Sequence, residues 1–153
     1  MANVSFVEGV LTGSIQSSTS VLYAALGEVI LERAGIVNLG VEGSMLMGAV
    51  TGFMVTKETG SPLLGLAAAA LMGGLFNLIL GYLVISRKAN QLASGLALMF
   101  CGLGLSALIG KPYVGQLITG LNPMPVPFLA DLPFLGRILF QHDLLIYAML
   151  PLA

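Results

Sequence analysis

The chain has 153 residues, of which 57% are hydrophobic and only 8% charged, with a net charge of −1 and a mean hydropathy of +0.98. Soluble domains carry about 25% charged residues, so this composition excludes an ordinary water-facing surface and points to a chain solvated by lipid. The near-neutral charge excludes an electrostatic nucleic-acid binder, and the single cysteine, Cys101, excludes a disulfide framework or thiolate cluster within the chain.

In chain order, Met1 to Glu8 lacks the basic start of a signal peptide, so the first apolar segment reads as a retained helix. Gly9 to Gly27 is uncharged but rich in Ser and Thr, which suits a helix packed among others. Gly43 to Thr56 is uncharged and short, about 21 Å as a helix, so it must begin nearer Asn38 or enter as a re-entrant stretch. Leu63 to Ile85 and Gln91 to Gly110 are the clearest spans. Leu144 to Ala153 begins a fifth apolar segment, and the sequence is expected to be the front portion of a longer protein. The resulting fold class is all-α, a polytopic transmembrane bundle of about four full helices and the start of a fifth, in one domain.

Lys111 to Asp143 holds Pro112, Pro123, Pro125, Pro127 and Pro133. Proline blocks helix interiors, so this is expected to be an extramembrane loop, with Pro133 to Phe140 a short interfacial helix. The Arg87-Lys88 pair in a tight connection favours the cytoplasmic side, which puts the N-terminus and the proline-rich loop outside.

Membrane helices associate through close packing of small residues. Gly40, Ser44, Gly48, Gly52 and Thr56 recur every four residues, as do Gly65, Ala69, Gly73, Asn77 and Gly81, and, more briefly, Gly102, Ser106 and Gly110. Gly48, Gly52, Gly65, Gly73, Gly81 and Gly102 are therefore the expected helix-packing positions.

Polar chemistry concentrates in Glu28 to Gly43. A charge at the centre of a spanning helix costs about 2.5–3.5 kcal/mol, so Glu28, Glu32, Arg33 and Glu42 must pair, reach an interface or line a wet cavity. A polar interfacial turn without a transport role accounts for them equally well. Gly35, Gly40 and Gly43 allow a chain break or close helix approach, Asn38 can cap the following helix, and Asn90 can cap the one that Gln91 opens. Gly110-Lys111 fails as a phosphate loop because Gly104 is misplaced and Pro112 stands where Ser or Thr is needed. Gly102 to Ala107 fails as a dinucleotide fingerprint because it lies within an apolar helix. His142 has no spaced nucleophile partner, so neither a catalytic set nor a metal site is expected.

Ala25-Leu-Gly-Glu-Val-Ile-Leu-Glu-Arg-Ala-Gly-Ile-Val-Asn-Leu-Gly-Val-Glu-Gly43 resembles the signature of permease subunits of bacterial ABC importers of the ribose and branched-chain amino-acid type. The segments Ala89 to Leu98 and Leu132 to Gln141 strengthen the resemblance, which is closest to permeases for nucleosides or simple sugars. It implies alternating access in a multi-pass protein of the bacterial plasma membrane, with no cofactor and no enzymatic step of its own. The implied partners are ATP-binding-cassette ATPase subunits, a second permease subunit, an extracellular solute-binding lipoprotein and the lipid bilayer. Asn38, Glu42, Asn77 and Gln91 are the expected wall of the substrate pathway. A passive channel, or a membrane remnant that transports nothing, is the alternative.

Overall fold

The computed structural model describes residues 2–118, 120, 124–125, 141–142 and 146–147, with side-chain surroundings for 7, 9–118, 120 and 146–147. Two compact units divide the chain, Gly27–Gly120 and a second formed by Met1–Leu26 with Leu121–Ala153. The described residues are overwhelmingly helical, as the all-α expectation requires.

Helix α1 runs unbroken over Ala2–Arg33. Its polar stretch is compatible with an apolar setting because its hydroxyls turn back on their own helix: Ser14 donates to the Val10 carbonyl at 2.8 Å and Thr19 to that of Ile15 at 2.8 Å. The charges at Glu28 and Glu32 interrupt the hydropathy but not the helix, since glutamate is a good helix former. The end comes at Gly35, whose φ of +81° suits glycine alone. Gly35 N–H donates to Glu32 O and Ile36 N–H to Leu31 O, which together close the helix.

Helix α2, Val41–Thr59, is longer at both ends than its uncharged stretch, and closes at Gly60 in a left-handed conformation. Helix α3, Pro62–Gly81, starts with proline at its first turn, where the missing N–H has no cost, and widens into a π turn over Tyr82–Ser86. Helix α4, Gln91–Gly110, is opened by Asn90, whose Oδ1 accepts from Ala93 N–H at 3.0 Å, and tightens into a 3-10 turn over Lys111–Tyr113. Within the expected proline-rich loop, β1 (Met124–Pro125) pairs antiparallel with β2 (Gln141–His142). The expected interfacial helix at 133–140 lies outside the described residues, as does the fifth apolar segment apart from Ile146 and Tyr147, which are helical.

Among the described residues, two helical stretches are long and apolar enough to cross a membrane, Pro62–Ser86 and Gln91–Tyr113. α2 carries Glu42, Lys57 and Glu58, and falls short of that standard by composition. Apolar side chains face outward in a way that water would not tolerate: Leu71 is 76% exposed and Leu78 and Leu108 are each 71% exposed.

In the unit Gly27–Gly120, α2 lies between α3 and α4, which touch each other little. The contacts are backbone to backbone. A Cβ at Gly43 would stand 2.7 Å from Leu98 O and from Met99 Cα, and one at Gly102 would stand 2.7 Å from Gly43 Cα. On the other face of α2, a Cβ at Gly52 would meet Gly65 O at 3.1 Å, and one at Gly48 would meet Ala69 O at 3.2 Å. Gly65 sits against Thr56 and the Gly52 carbonyl. Gly73 makes ordinary contact with Ser44 O, at 3.9 Å from a Cβ. Gly81 departs from the expected stripe: a Cβ there meets nothing within 4 Å, because the four-residue rows drift off the contact line by that point of α3. Met47 on α2 and Phe76 and Leu80 on α3 are the buried large apolar residues among those described in this unit.

These distances separate the glycines by consequence. Gly43→Ala and Gly102→Ala should each destabilise the folded protein by about 1–3 kcal/mol, because the methyl group meets backbone that has nowhere to go. Gly74→Ala, with nothing within 4 Å, should be neutral or stabilising by up to about 1 kcal/mol. Thermal unfolding in one detergent checks the contrast, and equal shifts for Gly43 and Gly74 would refute the packing.

Candidate functional site

The chain between α1 and α2, Ala34 to Gly40, has no regular hydrogen-bond ladder, and in a membrane-embedded protein its polar backbone groups need partners. Gln91 of α4 and Asn38 of the loop itself supply some of them, and Asn77 of α3 holds the Asn38 side chain. Gln91, at the first turn of α4, accepts from Val37 N–H at 2.9 Å through Oε1 and donates to Gly35 O at 3.3 Å through Nε2. Its amide thus copies an extended strand edge.

Asn38 is buried at 6% exposure. Its Oδ1 accepts from Gly40 N–H at 2.8 Å, turning the chain into α2, while its Nδ2 donates to Asn77 Oδ1 at 3.0 Å. The N-cap position of α2 is Gly40 itself, without a side-chain bond, so Asn38 acts two residues before the cap position, bonding the N–H of the cap residue. Asn77 in turn donates to Gly73 O at 3.0 Å. A polar chain thus runs from α3 through Asn38 to the start of α2, and Gln91 fixes the same loop from α4. Close approach makes this reach possible: a Cβ at Gly95 would stand 2.9 Å from Leu39 N, and one at Gly40 would stand 3.1 Å from Gly95 O.

Three of the four expected pathway residues, Asn38, Asn77 and Gln91, are therefore brought to one loop. Glu42 is not bonded into this network. It is exposed in the first turn of α2, where a carboxylate suits the positive end of the helix dipole. Arg33 forms no ion pair with a described residue, and Glu28 Oε2 is a buried oxygen without a hydrogen-bond partner among the described residues.

The other end of α2 carries a cluster that sequence reading missed. Tyr113 donates to Glu58 Oε1 at 2.8 Å, its ring meets that of Phe53 edge-on at 6.2 Å, and Lys57 Nζ donates to Leu117 O at 3.2 Å. These partners lie 55 and 60 residues apart, so no local spacing could have signalled them. Among the described residues no group of His, Cys, Asp and Glu could hold a metal ion, and Cys101 is exposed on α4.

A family model described as branched-chain amino acid transport system / permease component matches residues 10–150. A putative glucose ABC transporter permease protein of Haloferax volcanii is 42% identical over 142 residues, covering 90% of this chain and 43% of the relative. The guanosine ABC transporter permease protein of Bacillus subtilis is 36% identical over 143 residues, covering 86% of this chain and 45% of the relative. A nucleoside ABC transporter permease protein of Lactococcus lactis is 28% identical over 135 residues, covering 82% and 43%. The chain thus spans less than half the length of the curated relatives it matches. No solved structure matches it significantly.

The Asn38–Asn77 bond has a measurable signature. A double-mutant cycle of Asn38→Ala and Asn77→Ala should give a coupling of about 0.5–1.5 kcal/mol in unfolding free energy. A coupling near zero would mean that the two amides do not meet.

Proposed function

The chain belongs to the family described as branched-chain amino acid transport system / permease component, and on that premise we propose that it is the membrane-spanning portion of an ATP-driven importer for a sugar or nucleoside. The carrying observation is the match over residues 10–150 together with relatives named as glucose, guanosine and nucleoside permeases. The protein is then a multi-pass component of the plasma membrane and a transport subunit rather than an enzyme. ATPase subunits hydrolyse ATP, a second permease subunit completes the pathway, and an extracellular solute-binding lipoprotein delivers the solute.

Transport by alternating access requires that solute and ATP each favour one of two arrangements. Helices joined by backbone contact have little freedom to slide past each other, so α2, α3 and α4 move as one body. Asn38, Asn77 and Gln91 spend their amide groups on the loop and keep its shape through that motion. Glu42, exposed beside the loop and free of these bonds, is left as the group that meets solute in the pathway.

Two measurements test the reading. Cells expressing the protein with its ATPase, second permease subunit and solute-binding lipoprotein should accumulate labelled nucleoside or sugar, and the uptake should vanish when the ATPase loses hydrolysis. Uptake that persists without ATP would indicate a passive channel instead. Glu42→Ala should lower uptake at least several-fold while membrane abundance stays near wild type, whereas Gln91→Ala should lower both. A parallel fall of uptake and abundance for Glu42→Ala would make that residue structural.

A further inference from the structure

On the side of α3 away from the glycine contacts, a shallow groove of about 620 Å³ runs from Gly74 to Ser86. Leu78, Tyr82 and Ile85 flank it, and Gly74 and Gly81 leave it bare, since a Cβ at either would meet nothing within 4 Å. Asn77, at the deep end, already has its amide bonded to Asn38 and Gly73. From Gly74 to Ile85 the groove is about 16 Å long at the helical rise. That is close to half of the roughly 30 Å hydrocarbon core, the depth of one leaflet. At its shallow end follow Arg87 and Lys88, both exposed and without an ion pair among the described residues.

We infer that this groove is a binding site for an anionic phospholipid. The headgroup phosphate accepts from the Arg87 guanidinium and the Lys88 ammonium, and one acyl chain lies along the groove over Gly81. Charge decides the occupant. An apolar helix laid on this face offers neither cation a partner, whereas an anionic lipid engages them and the apolar slot at once. The inference rests on the membrane setting and not on any transported solute.

The test is native mass spectrometry of the full chain in neutral detergent, with added phosphatidylglycerol or phosphatidylcholine of the same acyl chains. Wild type should retain phosphatidylglycerol preferentially. The Arg87→Gln/Lys88→Gln variant should lower that retention about 25-fold, at about fivefold for each charge removed. Gly81→Leu, which fills the groove, should lower it several-fold without changing the melting temperature. Gly104→Leu, equally open but on α4, should leave it unchanged. If Gly81→Leu unfolds the protein, Gly74→Leu replaces it. Equal retention of both lipids overturns the inference, as does a loss in the charge variant alone, which would mean adsorption without a groove site. Loss of self-association in Gly81→Leu with lipid retention intact also overturns it, because the groove would then hold a second copy of the chain.

Discussion

Backbone meeting backbone along α2 is the contact from which the rest of the Gly27–Gly120 unit follows. Lipid tails solvate leucine as well as another leucine does, so helices in a membrane gain little from apolar burial as such. They gain from dispersion at close range and from hydrogen bonds that water does not contest. Glycine on both sides of an interface maximises the first, and α2 uses it on two faces: Gly43 against the Leu98–Met99 backbone and Gly102, Gly52 against Gly65. The second follows from the first. Only because Gly40 and Gly95 allow the chain to lie against α4 can the Gln91 amide reach Val37 and Gly35, and only because α3 is drawn to α2 can Asn77 reach Asn38.

Much of this was legible in the residues, and the failures are instructive. α4 begins and ends where its uncharged run does, because Asn90 caps one end and Pro112 limits the other. Of the four-residue rows, Gly48, Gly52, Gly65 and Gly102 lie where a Cβ would meet another helix within 3.2 Å. The rows also include Gly81, which lies in open space, since a spacing marks a face without saying what covers it. Gly95 carries no such spacing signal, although a Cβ there would stand 2.9 Å from Leu39 N, because its partner lies in a loop with no periodicity. Hydropathy ended the first helix at Gly27, but the helix continues to Arg33, since charge alters solvation and leaves the backbone ladder intact. The roles of Asn38 and Gln91 depended on partners 39 and 54 residues away, beyond any local rule.

Within the Gly27–Gly120 unit the arrangement divides labour between rigidity and exposure. The amides that looked most like a substrate lining are occupied in holding one loop, centred on the buried Asn38. The carboxylate of Glu42 stands beside that loop without a bond to it. Family membership says what kind of protein the chain resembles, while the packing says which of its helices are held together.

The central claim, that α2 is clamped directly against α4, is open to a cross-linking measurement in native membranes. A Cβ at Gly110 would lie 3.1 Å from Val50 Cγ2, so Val50→Cys and Gly110→Cys on a Cys101→Ser background bring two sulfurs within bonding reach. The account predicts rapid disulfide formation for this pair and none for a control pair at the exposed Leu71 and Leu108. Failure of the first pair to cross-link, or equal cross-linking of both, would contradict it.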